Sequence, residues 1–199
     1  MKRSQYCFII IFMFTVNINP TSWAKEAPDT KEKQEIMLIN FKNADDKTSW
    51  QIINDDVMGG ISNSEIVFSD TGTAIFKGTV SLENNGGFAS TLRTSGSYNL
   101  GNYTGLLLRI KGDGKNYQLR LRTDGRFDGV SYSYQFTTGP KSWMTIRVPF
   151  SDFVPVFRGR ILRDVSAVTP AQIKQIGFLI SDKQVGNFQL EIEWIKAYK

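Results

Sequence analysis

The stretch from residue 105 onward has a hydrophobic pattern of period two. Gly105–Lys111 (GLLLRIK) places Leu106, Leu108 and Ile110 on one face, and residues 116–123 (NYQLRLRT) alternate apolar and polar side chains in the same way. Successive side chains of a β-strand point to opposite faces of its sheet, so both stretches predict strands with one buried face. The same alternation recurs in three later segments, at residues 130–136, 144–148 and 188–194.

Glycine next to asparagine or aspartate separates these segments. Gly112-Asp113-Gly114 predicts a hairpin between the first two strands, because Asp-Gly tolerates positive φ; residues 84–87 and 124–129 predict further turns. Residues 169–174 (TPAQIK) predict one helical turn, which begins at Pro170. Many short strands with one apolar face predict an all-β fold. We expect two antiparallel sheets packed as a jelly-roll sandwich, with at most one short helix.

The N-terminal segment has the pattern of a secretory signal. Lys2 and Arg3 precede an apolar run at residues 8–16, and Ser22 and Ala24 then supply small side chains at a cleavage site. We therefore predict a signal peptide at 1–24, a flexible leader at 25–34 and a β-sandwich domain at 35–199. The run is too short for a membrane-spanning helix, so no transmembrane helix is expected in the mature chain. The expected location is periplasmic or secreted, and an uncleaved N-terminal anchor is the alternative.

The composition excludes several kinds of chemistry. The 199 residues include no histidine, and the one cysteine, Cys7, lies in the predicted signal. Nucleophile systems that need histidine or cysteine, and zinc sites built on them, are therefore excluded. Removing Lys2 and Arg3 takes the formal charge from +5 to +3, which is too small to predict nucleic-acid binding. We expect no enzyme activity, no cofactor and no catalytic metal. A hydrolase with two carboxylates is the weakest alternative, because no pair of acids matches a catalytic separation.

Seven ordered segments carry more information than a strand pattern. They lie at residues 50–62 (WQIINDDVMGGIS), 76–93 (FKGTVSLENNGGFASTLR), 112–117 (GDGKNY), 143–150 (WMTIRVPF), 157–160 (FRGR), 176–181 (IGFLIS) and 188–197 (FQLEIEWIKA). This set resembles the complex I intermediate-associated protein family, whose mitochondrial member assists complex I assembly. The resemblance implies a galactose-binding-like sandwich, related in shape to carbohydrate-binding modules, and supplies no catalytic residues.

Two glycine-containing segments are candidate sites. Residues 54–60 (NDDVMGG) offer Asp55, Asp56 and Met58 to a partner or ligand; the alternatives are a capped turn against the core and a structural calcium site. Residues 84–88 (NNGGF), followed by Arg93, could present a guanidinium to a ligand. The structural alternative, which we favour, is a turn with Arg93 in an internal ion pair.

A basic sheet face is the other candidate site. Arg109, Gln118, Arg120 and Arg122 all occupy polar positions of predicted strands, and they form one patch if those strands are neighbours, extended by Arg147. Such a patch could dock a protein or a sugar, or be ordinary solvated surface. Arg158, in the FRGR segment, extends the same surface or is held by a carboxylate such as Asp182.

These features favour a binding protein without catalytic activity. We expect an accessory or assembly factor that holds a protein partner on a jelly-roll scaffold, and a glycan-binding module of the same architecture is the alternative. Because export would separate the chain from the side of the membrane where much of complex I assembly occurs, the sequence favours a general accessory role over a literal role in complex I.

Overall fold

The computed structural model describes residues 34–94, 96, 98–126 and 128–199. The predicted signal peptide 1–24 and residues 25–33 of the predicted leader lie outside this part. The described residues form the following strands: β1 Glu35–Asn40, β2 Trp50–Ile52, β3 Asn63–Phe68, β4 Ala74–Val80, β5 Ala89–Arg93, β6 Gly105–Lys111, β7 Asn116–Arg122, β8 Ser131–Thr137, β9 Trp143–Pro149, β10 Val154–Phe157, β11 Arg160–Ile161, β12 Gln175–Ile180 and β13 Gly186–Tyr198.

The strands build two antiparallel sheets, which confirms the predicted two-sheet all-β fold. In the first sheet the order is β3-β4-β13-β6-β9, and β1 pairs with the second half of β13. In the second sheet the order is β11-β10-β8-β7-β12-β5-β2. The register of β13 against β6 shifts between Ile192 and Trp194, where β13 changes its other neighbour from β4 to β1.

The core lies between the sheets and contains the side chains that the alternation assigned to it. Leu106, Leu108 and Ile110 are fully buried from the first sheet, as are Leu119 and Leu121 from the second. Full burial of a side chain of this size contributes about 1.5–3 kcal/mol to the stability of the folded state. The outward residues of β7 consequently face away from the core, where they are available to a site.

The Gly112-Asp113-Gly114 turn is not a hairpin, because β6 and β7 belong to different sheets. The turn carries the chain across the sandwich, and its Asp113 connects the two layers. The Oδ1 atom of Asp113 accepts a hydrogen bond from the Tyr117 hydroxyl in β7 at 3.0 Å, and Oδ2 accepts one from the backbone N–H of Gln189 in β13 at 2.9 Å. The predicted turn exists, but the predicted strand pairing is wrong.

Helical structure in the described residues is limited to five 3-10 segments of three or four residues, in agreement with an all-β fold. They are Asp45–Lys47, Asp55–Met58, Glu83–Asn85, Phe150–Asp152 and Pro170–Gln172. The last is the turn predicted from the TPAQIK segment, with Thr169 as its N-cap residue. Within the described part of the chain, we find no helix long and apolar enough to cross a membrane.

Candidate binding cleft

A cleft of about 610 Å³ opens on the outer face of the second sheet. Its floor is formed by outward side chains of β5, β12, β7 and β8, including Leu92, Leu179 and Arg120. One rim carries Val57 and Met58 from the loop after β2, and the other is the β10–β11 hairpin. The cleft thus combines an arginine-bearing floor with two walls from separate loops.

Arg120 is held in one orientation at the floor. Its Nε and Nη2 atoms donate to the side-chain carbonyl of Gln118 at 3.1 and 2.7 Å, and Nη1 donates to the Ser131 hydroxyl at 2.8 Å. Gln118 is in turn fixed by Ser133, whose hydroxyl donates to the same oxygen, and by Ser181, which accepts from its amide nitrogen. Neutral partners therefore position this guanidinium without neutralising its charge.

Arg122 lies two residues further along β7 and also faces the cleft. Its Nη1 donates to the backbone carbonyl of Gly129 at 2.8 Å. Among the described residues, no carboxylate oxygen lies within 4.0 Å of a guanidinium nitrogen of Arg120 or Arg122. Two positive charges therefore stand side by side on the floor without a direct counter-ion.

The pKa of each guanidinium reflects this setting. Burial, and then the nearby charge of Arg122, lower the pKa of Arg120 to about 10. Burial likewise lowers the pKa of Arg122, against the opposing effect of Asp124 and Asp128. A pKa of about 10 still leaves Arg120 charged at neutral pH, and desolvation of such a charge favours binding of an anionic group.

Exposed apolar side chains lie on both rims of the cleft. Val57 and Met58 are 61% and 60% exposed on one side, and Phe157 and Ile161 are 38% and 67% exposed on the other. Arg158 and Gly159 form the two-residue tip of the second rim, and both have positive φ (46° and 76°), as a tight hairpin turn requires. Clustered apolar exposure around a groove is typical of surfaces that bind another molecule.

Asp55 positions the first rim from behind. Its buried carboxylate accepts hydrogen bonds from the backbone and hydroxyl groups of Ser62 and from the backbone N–H groups of Gly87 and Phe88. Two glycines pack against it: a Cβ at Gly60 would lie 2.4 Å from Oδ1, and one at Gly86 would lie 2.6 Å from Oδ2. The VMGG and GGF segments therefore both pack around the Asp55 carboxylate, and we call this arrangement the Asp55 clasp.

The pKa of Asp55 follows from these contacts. Burial alone raises it, but the hydrogen bonds from Ser62, Gly87 and Phe88 together lower it below 3.8. Asp55 is consequently ionised at neutral pH, and its role in the structure is to hold the loop. Asp56 is exposed beside it and does not line the cleft.

Comparison with known proteins places the chain in a family. The profile of complex I intermediate-associated protein 30 matches residues 39–192. The chain belongs to this family. Its relatives include the mitochondrial complex I intermediate-associated protein 30 of Mus musculus, 29% identical over 86% of this chain and 60% of that protein, and the probable one of Caenorhabditis briggsae, 30% identical over 79% and 52%. The chain thus spans about 60% or less of the length of these family members.

Solved structures agree with the predicted architecture of this family member. A family 11 carbohydrate-binding module from a cellulosomal cellulase of Clostridium thermocellum matches with a TM-score of 0.60 and 22% identity, over 83% of this chain and 94% of that one. A family 11 carbohydrate-binding module from Clostridium thermocellum in complex with a β-1,3-1,4-mixed-linked tetrasaccharide matches with a TM-score of 0.58 and 22% identity, over 82% of this chain and 94% of that one. At this identity the likeness shows the fold, which confirms the galactose-binding-like sandwich.

The family relatives contradict the expected periplasmic or secreted location. Those from Mus musculus, Caenorhabditis elegans, Drosophila melanogaster and Neurospora crassa all have names that place them in mitochondria. The apolar run at 8–16, from which export was predicted, lies outside the described residues. The predicted export was the reason given against a literal role in complex I assembly, and that reason no longer holds.

The structure divides the residues predicted for the basic patch between two places. Gln118, Arg120 and Arg122 do share one outer face, and Arg158 joins them at the cleft. Arg109 does not, because β6 lies in the first sheet, where Arg109 is 3.7 Å from Glu193. The predicted contiguous patch is wrong for Arg109, since alternation along a strand identifies a face but not the sheet to which it belongs.

The other predicted site residues have structural surroundings. Arg93 forms an ion pair with Asp46 at 3.0 Å, with both side chains less than 15% exposed, which is the internal pair that we favoured. Arg147 lies over the ring of Tyr198 on the first sheet. Arg158 stacks near Phe157 and makes no ion pair within the described residues, so Asp182 does not hold it.

Sequence reasoning identified Met58 but missed the rest of the apolar part of the cleft. Leu92 and Leu179 occupy outward positions of β5 and β12, yet both line the floor. A leucine at a polar position of an alternating strand was the available signal, and for Leu179 it is visible in IGFLIS. Val57, Phe157 and Asp128 also line the cleft; the sequence predicted their neighbours Met58 and Arg158 as site residues but assigned Asp128 only to a turn.

Proposed function

We propose that this protein is a non-enzymatic accessory factor that docks a protein partner in the cleft of the second sheet, and that it acts in complex I assembly. Family membership supports the assembly role, because curated relatives are named for association with complex I intermediates. The exposed apolar side chains on both rims support protein docking. They provide the kind of anchor residues that contribute most of the binding energy in protein interfaces.

A glycan ligand has less support. Sugar-binding faces commonly stack tyrosine or tryptophan rings on the ligand, yet among the described residues the aromatic side chains that line the cleft are those of phenylalanines. The likeness to carbohydrate-binding modules concerns the fold alone. A glycosidase is also disfavoured, because Asp128 is the one carboxylate lining the cleft within the described part of the chain, and that reaction uses two.

Removing exposed apolar side chains from the rims should weaken docking. Met58→Ser with Phe157→Ser takes one exposed anchor from each rim, and we expect partner binding to weaken at least about tenfold, because each anchor contributes about 1 kcal/mol or more. The measurement is co-migration of the tagged protein with complex I assembly intermediates on native gels, in cells lacking the endogenous copy.

A matched control is available on the first sheet. Met37 in β1 and Val67 in β3 are 45% and 38% exposed, so Met37→Ser with Val67→Ser removes comparable apolar surface away from the cleft. Co-migration should be unchanged in this control. Equal loss in both double variants, or undiminished co-migration of the rim variant, would contradict docking through the cleft.

A further inference from the structure

The charges lining the cleft are unbalanced. Arg120, Arg122 and Arg158 contribute three positive charges to the lining, and Asp128 contributes one negative charge; Asp124 and Asp182 act on the arginine pair from outside the lining. An arginine pair without a directly ion-paired carboxylate is costly to bury when the cleft is covered, unless the covering molecule brings an anion. A molecule that binds in the cleft should therefore carry a negative charge on the part that contacts the floor.

The hydrogen bonds of Arg120 indicate where on the floor the negative charge of the ligand binds. Of the five N–H groups of a guanidinium, its bonds to Gln118 and Ser131 use three, which leaves one N–H on each of Nη1 and Nη2 for a ligand. These two N–H groups belong to one planar guanidinium held in place by its other bonds, and a carboxylate has two oxygens that can accept from them. Because neutral residues hold the fork, it is preorganised before the ligand arrives.

The apolar residues of the cleft determine which chemical groups can lie next to the negative charge of the ligand. Leu92 and Leu179 flank the arginines on the floor, and Met58 and Phe157 stand above them on opposite rims. A ligand that reaches Arg120 must pass between these side chains, so its neighbouring groups must be apolar. A polypeptide segment with one acidic residue between apolar residues satisfies both requirements, whereas a uniformly charged polyanion does not.

We propose that the cleft recognises a partner segment in which an Asp or Glu carboxylate binds Arg120 and the adjacent apolar side chains pack between the Met58 and Phe157 rims. This proposal rests on the proposed docking function and names the chemistry of its partner. Arg122 lies beside the bound carboxylate and adds a second positive charge.

A random heptapeptide library displayed on phage tests this recognition. Selection on the wild-type protein should yield peptides with an acidic residue flanked by apolar ones. For a selected peptide made synthetically, Arg120→Met should weaken binding about tenfold to a hundredfold, as expected for a lost charge-assisted hydrogen-bond pair. Replacing the peptide's Glu by Gln should cause a similar loss, and the two changes together should cost little more than either alone.

Two further variants separate recognition by the guanidinium group of Arg120 from attraction by positive charge alone. Arg120→Lys keeps the charge but loses the fork, and it should recover only part of the affinity. Arg109→Met removes an arginine of the first sheet and should leave binding unchanged; thermal unfolding of each variant verifies that it is folded.

The two proposals fail in different ways. Peptides without an acidic residue, or full affinity in Arg120→Met, would overturn carboxylate recognition, while continued dependence on Met58 and Phe157 would leave cleft docking in place. A library that yields no binding peptide would also overturn the inferred peptide chemistry, and co-migration of the rim variants would still judge the docking function separately.

Discussion

Replacing Asp55 by alanine is expected to lower the free energy of unfolding by about 3–5 kcal/mol, a large effect for one substitution. The change removes a buried acceptor shared by Ser62, Gly87 and Phe88, and the N–H groups of these residues would lose their partner. It also leaves a cavity against Gly60 and Gly86, which have no side chains to fill it. Urea unfolding at pH 7 measures the loss.

The neighbouring aspartate is the control for this substitution. Asp56→Ala changes an exposed carboxylate one residue away and should cost no more than about 0.5 kcal/mol. If both variants lost the same stability, the buried clasp would not be the reason.

The contribution of Asp55 should also depend on pH. Its pKa is lower in the folded protein than the 3.8 of an ordinary aspartate, so the folded state binds fewer protons than the unfolded state near that pH. The stabilisation is therefore complete above about pH 5 and disappears as the pH falls through 3.8 toward the folded pKa. The stability difference between wild type and Asp55→Asn should be smaller at pH 3 than at pH 7, and an unchanged difference would contradict the ionised clasp.

Replacing Tyr117 by alanine is expected to cost about 3–5 kcal/mol, because its ring is completely buried between the sheets. The ring centroid lies 6.2 Å from that of Phe136 in the second sheet and 6.4 Å from that of Phe188 in the first. Burial, followed by the charge of Asp113, raises the pKa of Tyr117 and keeps its hydroxyl protonated as a donor. The loss is measured by chemical unfolding.

Tyr117→Phe separates packing from hydrogen bonding. It keeps the ring but removes the bond to the charged carboxylate of Asp113, and about 1.5–3 kcal/mol should be lost. Equal losses in the alanine and phenylalanine variants would mean that the hydroxyl, rather than the ring, provides the stabilisation.

Local pattern explains which parts of the fold could be predicted. Alternation in β6 and β7 correctly identified the buried side chains, because side-chain direction in a strand depends on neighbouring residues alone. It could not show that the turn at Asp113 crosses between sheets, because strand pairing depends on residues far apart in sequence. The same limit placed Arg109 beside Arg120, although the two lie in different sheets.

Apart from Met58, the candidate site was predictable only in its polar part. Arg120 and Arg122 were selected as outward cations on an apolar strand, and Arg158 as part of a turn. The apolar rims required the β10–β11 hairpin and the loop after β2 to lie on opposite sides of one cleft, which is a consequence of tertiary structure. Asp55 was selected for its charge, but its contacts with Gly60 and Gly87 make it a support for the rim.

Photo-crosslinking provides the most direct test of cleft docking. A photoreactive phenylalanine analogue at position 157 places the probe on the cleft rim, and the same analogue at position 67 places it at an equally exposed site on the first sheet, since Phe157 and Val67 are both 38% exposed. In cells, we expect position 157 to crosslink to a complex I subunit or assembly protein and position 67 to give no such product. Crosslinks from position 67 alone, or none from position 157, would contradict the proposal that the partner docks in the cleft.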